Sequence, residues 1–178
     1  MNYATIKTRD IANGPGVRVS LFVSGCTHHC KNCFNKETWD FKYGDEFDEN
    51  AEKKILDTLK DDFITGFTVL GGEPFESENQ KDVLQIIKKV RKVFPEKTIW
   101  CYTGYLIDDI LSGKVGDKAV TDEIFENIDI LVDGEFVEDL KNPGLQFRGS
   151  SNQRVIDVKK TLSEGEIHIW DELSDFVK

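Results

Sequence analysis

Four apolar runs stand out along the chain, and each ends close to a glycine. In Val17–Val23, apolar and polar residues alternate, although Phe22 adds an apolar side chain to the second face. This pattern predicts a β-strand that is buried on both sides. Three later runs are also predicted to be strands: residues 63–70, 98–103 and 128–132.

Between these runs, apolar residues recur at intervals of three and four positions, which is typical of helices. Residues 48–59 form one predicted helix, with Asp48 as its N-cap. A longer helix is predicted to start in a capping box at residues 77–80 and to stop before Pro95. Shorter helical segments are predicted at residues 35–39, 105–111 and 124–127.

Strands and helices therefore alternate along the chain, which predicts an α/β fold with a mostly parallel sheet. The last part of the sequence is less regular. A polar loop at residues 148–153 is followed by short strands or a hairpin at 155–158 and 167–170. Because no repeat, low-complexity tract or linker separates a second domain, we expect residues 1–178 to form a single domain.

Composition argues against some classes of function. The chain has 23 basic and 33 acidic residues, a formal net charge of −10, which argues against binding along a nucleic-acid backbone. No apolar run approaches the ~20 residues that cross a bilayer, and the N-terminus does not resemble a signal peptide. Three of the four cysteines are clustered. Free thiols of this kind suit a reducing compartment, so we expect a cytoplasmic protein without membrane attachment.

The clustered cysteines are the strongest chemical signal. Cys26, Cys30 and Cys33 directly follow the first predicted strand, and thiolates this close can reach one metal centre. Three ligands leave a coordination position open, as in catalytic metal sites. A structural zinc ion with a fourth ligand is the alternative, but zinc sites more often pair two distant Cys-x2-Cys units. The candidate fourth ligands are His28, His29 and Cys101, of which Cys101 is expected to be a buried core thiol.

A Gly-Gly-Glu-Pro sequence at residues 71–74 follows the second predicted strand. By itself it is typical of an ordinary strand-to-helix turn. Parallel strands, however, place this loop and the cysteine loop at the same carboxyl-terminal edge of the sheet, where α/β folds bind ligands. Glycines there permit close approach of a ligand to the backbone.

These two motifs together resemble the radical S-adenosylmethionine enzymes. The resemblance implies an incomplete TIM-like barrel and a [4Fe–4S] cluster whose open iron is chelated by the amino and carboxylate groups of S-adenosylmethionine. It implies that the cluster ligands are Cys26, Cys30 and Cys33. It also implies that the methionine part of the cofactor lies along Gly71, Gly72 and Glu73 and that this loop receives its amino group.

The sequence departs from that family at one position. The residue before the third cysteine is usually aromatic and packs on the adenine, but here it is Asn32. Phe34 is the residue that can supply this surface instead. We therefore expect Asn32, Cys33 and Phe34 to lie beside the cofactor.

Further motifs resemble the activating proteins of anaerobic (class III) ribonucleotide reductases. These motifs are residues 13–18, 21–26, 103–105, 131–136 and 148–153. The likeness covers the chain to about residue 158, with a core of about 13–158, and leaves residues 159–178 as a C-terminal extension of unknown role.

This narrower resemblance implies an activity. A reduced cluster would cleave S-adenosylmethionine to a 5′-deoxyadenosyl radical, which would generate a glycyl radical on the large subunit of the reductase. It also implies a two-plus-two assembly with the reductase and a low-potential electron donor such as flavodoxin. The alternatives are an activase of another glycyl-radical enzyme such as pyruvate formate-lyase, a small-molecule radical enzyme, or a non-catalytic zinc-binding adaptor.

Other polar residues have simpler interpretations. We interpret His28 and His29 as loop filler in preference to residues that tune the cluster. For Arg18 and Arg148, an ordinary salt bridge is favoured over contact with a cofactor carboxylate or with the surface of the partner. Asp133 ends a predicted strand and is a less favoured candidate for binding a ribose hydroxyl.

Overall fold

A seven-stranded sheet forms the centre of the fold. The computed structural model describes residues 1–170. The strands are β1 (Asn2–Asp10), β2 (Val17–Val23), β3 (Asp45–Glu46), β4 (Ile64–Gly71), β5 (Thr98–Tyr102), β6 (Ile130–Asp133) and β7 (Arg154–Asp157).

The strand order is β3-β1-β2-β4-β5-β6-β7. Strands β2, β4, β5 and β6 are parallel to one another, whereas β1, β3 and β7 add antiparallel pairs at the sides. Within residues 1–170 the sheet does not close, since β3 and β7 are its two edges. The predicted α/β fold with a mostly parallel sheet is confirmed, and an open sheet agrees with a partial barrel.

In residues 1–170, four helices lie between the strands and a fifth follows β7. They are α1 (Glu49–Leu59), α2 (Gln80–Val93), α3 (Ile107–Leu111), α4 (Lys118–Asn127) and α5 (Val158–Glu164), with short 3-10 turns at Lys36–Trp39 and Glu138–Leu140. As predicted, the Asp48 carboxylate caps α1 by accepting hydrogen bonds from the backbone N–H groups of Asn50 and Ala51. None of the helices in the described part of the chain has the length and apolar character needed to cross a membrane.

Two local predictions were incomplete or wrong. Strand β1 was not predicted, because it is mostly half-exposed and lacks an apolar alternation. The capping box before α2 was wrong, since that helix begins at Gln80 and has no side-chain cap. The Asn79 side chain at its start donates instead to the carbonyls of Ser24 (2.9 Å) and Glu73 (3.0 Å). A tertiary contact between loops thus replaces the expected local cap.

The two faces of the sheet have different roles. One face is covered by the helices and forms the main core, to which alternate residues such as Leu21, Val69 and Leu131 contribute. Cys101 lies among them and is fully buried, so the prediction of a core thiol is confirmed. Near the carboxyl-terminal edge, the other face carries Phe22, paired in register with Leu70 of the neighbouring strand. Phe22 and Leu70 on this second face line a cavity at that edge of the sheet.

Arg18 occupies that second face near the opposite end of the strands. Its guanidinium donates to the hydroxyls of Thr68 (2.7 Å) and Thr98 (2.9 Å) and to the carbonyl of Phe67 (2.8 Å). Burial lowers the pKa of Arg18 to about 10. No carboxylate of residues 1–170 pairs with this side chain, so the expected salt bridge is wrong. Arg18 instead links β2, β4 and β5 inside the fold.

Asp129, just before β6, carries a pH-dependent contribution to stability. Its carboxylate accepts from Arg91 (2.6 Å) and from the backbone N–H of Ile99 (2.7 Å), and it also pairs with Lys159. Burial opposes ionisation, but these partners outweigh it and lower the pKa of Asp129. A lowered pKa in the folded state stabilises the protein at pH values above the unfolded value of about 3.9, and this stabilisation is lost as pH falls further.

We therefore expect Asp129→Asn to lower the free energy of unfolding at neutral pH by about 2 kcal/mol. The loss of stability on acidification below about pH 4 should become shallower, because the variant has no carboxylate to protonate. Urea titrations at several pH values measure both effects. Asp122→Asn, which removes an ion pair with the exposed Lys118, is the control and should change little. If both variants changed the free energy of unfolding and its pH dependence equally, Asp129 would not be the source of this stabilisation.

Candidate metal centre and cofactor cavity

The loops after the four parallel strands meet at one edge of the sheet, around a cavity of about 580 Å³. This volume lies within the range of small-molecule sites. Most of the predicted site residues contribute to its walls: Cys26, Cys30, Cys33, Phe34, Gly71, Gly72 and Glu73. The prediction that the cysteine loop and the Gly-Gly-Glu loop share one edge is confirmed by the register of β2 and β4, in which Val23 is paired with Gly71.

The cysteine loop is held by backbone hydrogen bonds to the following 3-10 turn. The N–H of Gly25 donates to the carbonyl of Thr38 (2.7 Å), and that of Cys26 donates to the carbonyl of Trp39 (3.3 Å). The chain reverses through positive φ angles at His29 (52°) and Asn32 (55°), which these residue types tolerate better than most. Cys26 is buried at the base of the loop, whereas Cys30 and Cys33 are partly exposed.

Burial affects the protonation of the thiols. It raises the pKa of Cys26 to about 12, with a smaller contribution from the negative charge of Glu73, and it also raises the pKa of Cys30. Metals bind thiolates, so a metal entering this loop displaces the thiol protons.

The spacing of the sulfur atoms is relevant to the kind of metal centre. Among residues 1–170, the group of three ligand atoms that lie within 4.8 Å of one another is Glu164, Glu166 and His168, and it contains no cysteine. Sulfurs bound to one zinc ion lie within about 4.6 Å of each other, twice the zinc–sulfur bond length. As placed in residues 1–170, the three thiols do not form such a compact group.

The Gly-Gly-Glu loop packs directly against the cysteine loop. Gly71 has a φ of +112°, and a Cβ atom at Gly72 would lie 2.6 Å from the carbonyl oxygen of Gly25. Glycine is needed here because one backbone approaches another. Asn35 adds a link between the loops, since its side chain donates to the carbonyl of Gly71 (3.2 Å) and its backbone N–H points at the Cys33 sulfur (3.4 Å).

Glu73 is fully buried, and both of its carboxylate oxygens are engaged by the protein. Oε1 accepts from the backbone N–H of Phe75 (2.9 Å) and the hydroxyl of Thr103 (2.8 Å). Oε2 accepts from the backbone N–H of Gly104 (2.7 Å) and lies 3.0 Å from His28 Nε2. This carboxylate thus connects the loops after β2, β4 and β5. Its contact with the amino group of a cofactor stays a prediction.

His28 links the cysteine loop to two carboxylates. Its Nε2 lies against Glu73, and its Nδ1 is 2.9 Å from Glu135 Oε1 in the loop after β6. Burial disfavours the charged ring, but the two carboxylates outweigh this effect and raise the pKa of His28 to about 9. The ring also packs on Tyr105, with centroids 4.4 Å apart. The interpretation of His28 as loop filler was therefore wrong, and sequence spacing gave no signal of the distant Glu135.

The far wall of the cavity comes from residues 134–153, most of which lie outside the predicted site. Gln153 organises this wall by accepting from the backbone N–H of Gly149 (2.9 Å) and donating to the carbonyl of Gly134 (2.9 Å). Arg148 donates to the carbonyl of Gln153 (2.7 Å), while its buried Nε–H has no partner in residues 1–170. No carboxylate of residues 1–170 forms the expected salt bridge with Arg148, and this cation lines the cavity.

Phe34 and Asn32 were both predicted to contact the cofactor, but only Phe34 lines the cavity. Phe34 lines the cavity, is 63% exposed, and lies 5.0 Å from the Phe136 ring between centroids. Asn32 is exposed and does not line the cavity; its side chain bonds to Glu138. Asp133 was a candidate for a ribose hydroxyl, but it is buried and accepts from Arg154 Nε (2.9 Å). Of these three residues, the structure brings Phe34 alone to the cavity.

Comparison with known proteins agrees with this geometry. Residues 12–156 match a family model described as a 4Fe-4S single cluster domain. An anaerobic ribonucleoside-triphosphate reductase-activating protein of Escherichia coli K12 is 42% identical over 157 residues, which cover 87% of this chain and 97% of that protein.

More distant relatives carry the same name. The protein of Vibrio cholerae is 39% identical over 155 residues, covering 86% of this chain and 96% of the relative. That of bacteriophage T4 is 38% identical over 155 residues, covering 87% and 93%. With a cluster domain spanning most of its length and relatives matched almost end to end, this chain belongs to the family of anaerobic ribonucleoside-triphosphate reductase-activating proteins.

Proposed function

We propose that this chain generates the glycyl radical of an anaerobic ribonucleotide reductase, using S-adenosylmethionine bound at a [4Fe–4S] cluster. The observation that carries the proposal is one cavity lined by three thiols on one side and by the Gly-Gly-Glu loop on the next. When bound, the reduced cluster supplies the electron that cleaves the cofactor, giving the 5′-deoxyadenosyl radical that removes hydrogen from a glycine of the reductase.

The donor set fits a cluster with three protein ligands, Cys26, Cys30 and Cys33. The fourth cysteine, Cys101, lies in the core under the helices and is not part of the cavity wall. His28, the other candidate fourth ligand on this wall, has both ring nitrogens occupied by carboxylates. This arrangement supports a coordination position that neither Cys101 nor His28 fills, where a substrate can bind.

The cavity also fits S-adenosylmethionine. The unpartnered Nε–H of Arg148 is suited to the carboxylate of an amino acid, because charge-assisted bonds between guanidinium and carboxylate are strong. The backbone of Gly71 and Gly72 offers polar groups for the ammonium. The rings of Phe34 and Phe136 form an aromatic surface on which an adenine can stack.

The proposed partner is the large subunit of the reductase, in a two-plus-two assembly, with a low-potential donor such as flavodoxin supplying electrons. The partial barrel supports this proposal, because its cavity stays open toward solvent beside the exposed ring of Phe34. A glycine-bearing segment of a large protein can enter the cavity through such an opening.

The test is anaerobic reconstitution with iron and sulfide, followed by reduction and addition of S-adenosylmethionine. We expect a brown protein that releases 5′-deoxyadenosine and, with the reductase present, produces a glycyl radical signal in electron paramagnetic resonance. Cofactor cleavage with a signal on pyruvate formate-lyase and none on the reductase would reject the proposed partner. A colourless protein with stoichiometric zinc would reject the radical chemistry.

Arg148→Gln should weaken binding of S-adenosylmethionine to the cluster-loaded protein by about tenfold or more, the effect of losing a hydrogen bond between charged groups. Iron content should be unchanged, since Arg148 is not one of the proposed cluster ligands. Equilibrium dialysis under anaerobic conditions measures the affinity. Arg9→Gln is a matched control, because Arg9 lies over the Phe63 ring and not on the cavity. Unchanged affinity in Arg148→Gln would exclude Arg148 from the cofactor site.

A further inference from the structure

Trp39 stands out because it is half-buried beside the cysteine loop and its indole nitrogen is a buried hydrogen-bond donor without a partner in residues 1–170. Its indole Nε1–H is buried and finds no acceptor in residues 1–170. Indole nitrogen can donate but not accept, so a dry Nε1–H without a partner costs stability. Such an atom requires an explanation, and a group that binds in the cavity is one of the usual ones.

The surroundings of Trp39 place it beside the thiols. Its backbone carbonyl accepts the N–H of Cys26 (3.3 Å), and its ring stacks on His29, with centroids 4.6 Å apart. His29 directly precedes Cys30, so Trp39 contacts the cysteine loop twice, through its backbone at Cys26 and through its ring at His29. Of the chain's three tryptophans, Trp39 is the one that lines the cavity shared by the cysteines.

We infer that Trp39 donates a hydrogen bond from Nε1 to a sulfur of the bound cluster, either a sulfide or a thiolate. This inference rests on the cluster of the proposed function, but not on its cofactor or its partner. A bound cluster would bring sulfur acceptors into the cavity that Trp39 and the three thiols line together, and Asn35 already offers a similar N–H to the Cys33 sulfur at 3.4 Å. Trp39 is thus a residue that positions and tunes the cluster, not a catalytic residue.

The bond would affect the ease of reduction. A donor aimed at sulfur stabilises the more negative, reduced state of a cluster and raises its reduction potential. Trp39→Phe keeps an aromatic ring for packing against His29 but removes the N–H. We expect this variant to bind iron and sulfide normally and to be harder to reduce. Trp170→Phe, a change in the apolar cluster around Trp100, should leave the potential unchanged.

Pulsed electron paramagnetic resonance on the reduced protein, without S-adenosylmethionine, tests the bond directly. With ¹⁵N in all tryptophan side chains, we expect a nitrogen hyperfine coupling to the cluster that is absent from Trp39→Phe. A potentiometric titration of the same samples should give a more negative midpoint for Trp39→Phe than for wild type. Absence of the coupling in wild type, or equal midpoints, would overturn the inference.

A second variant guards against poor folding of Trp39→Phe. In the Trp100→Phe/Trp170→Phe protein, Trp39 is the remaining labelled tryptophan, so a coupling retained there supports the inference and its loss overturns it. Iron and sulfide analysis distinguishes a failure of the proposed function from a failure of the proposed hydrogen bond. A protein that never assembles a cluster rejects the proposed function and this inference together, whereas a cluster without the coupling rejects the inference alone.

Discussion

Replacing Cys26, Cys30 or Cys33 with alanine should abolish assembly of the [4Fe–4S] cluster and, with it, cleavage of S-adenosylmethionine. All three thiols line the same cavity, and residues 1–170 offer no fourth thiol on that wall to replace a lost ligand. A cluster with only two protein ligands would lose both affinity and its single open position. Iron and sulfide analysis, the visible absorption spectrum and 5′-deoxyadenosine release measure the outcome.

The fourth cysteine provides the control. Cys101→Ala should bind about four irons per chain like wild type, since Cys101 lies under the helices and away from the cavity. Its expected defect is a modest loss of stability from a small cavity in the core. If a single variant among the three loop cysteines retained a full cluster and activity, that thiol would not be a ligand. If Cys101→Ala lost the cluster, the assignment of three loop ligands would fail.

Glu73→Gln should have the second largest effect, because one buried carboxylate connects the loops after three parallel strands. The substitution places an amide NH2 group opposite N–H donors, so at least one of the bonds to Gly104, Thr103, Phe75 or His28 is lost. Breaking a buried charged network of this kind costs about 3 kcal/mol. For a chain of this size, that corresponds to a fall of about 10 °C in melting temperature.

We expect the site to lose function before the fold is lost. In Glu73→Gln, His28 loses a negatively charged partner, so the cysteine loop is held less firmly and cluster occupancy should fall at moderate temperature. Thermal unfolding and iron content are the measurements. Glu78→Gln makes the same chemical change at an exposed position of the same segment and should leave both unchanged. A Glu73→Gln protein with wild-type melting and a full cluster would show that this network is not required.

The hydrogen-bond partners of Glu73, Asn79 and His28 could not be predicted from the sequence. The Gly-Gly-Glu loop was placed correctly, because a strand, a glycine pair and a helix are local signals that survive folding. The partners of Glu73, by contrast, lie 31 and 45 positions away at Gly104 and His28. The sequence predicted Asn79 to be part of a helix cap, yet its side-chain amide donates to the carbonyl of Ser24, 55 positions earlier in the chain. Hydrogen bonds over such separations depend on the packing of the strands, which local patterns do not encode.

The sequence by itself determined the alternation of strands and helices, the shared edge of the two loops and the three clustered thiols. These features follow from residue periodicity, glycine positions and cysteine spacing, all of which act over a few neighbouring residues. Only the tertiary structure decided that Asn32 bonds to Glu138 and does not line the cavity, and that His28 bridges two carboxylates. It also decided that Arg148 and Trp39 line the cavity and carry buried donors without a partner in residues 1–170. The physical reason is that burial and hydrogen-bond partnership are properties of surfaces brought together from distant parts of the chain.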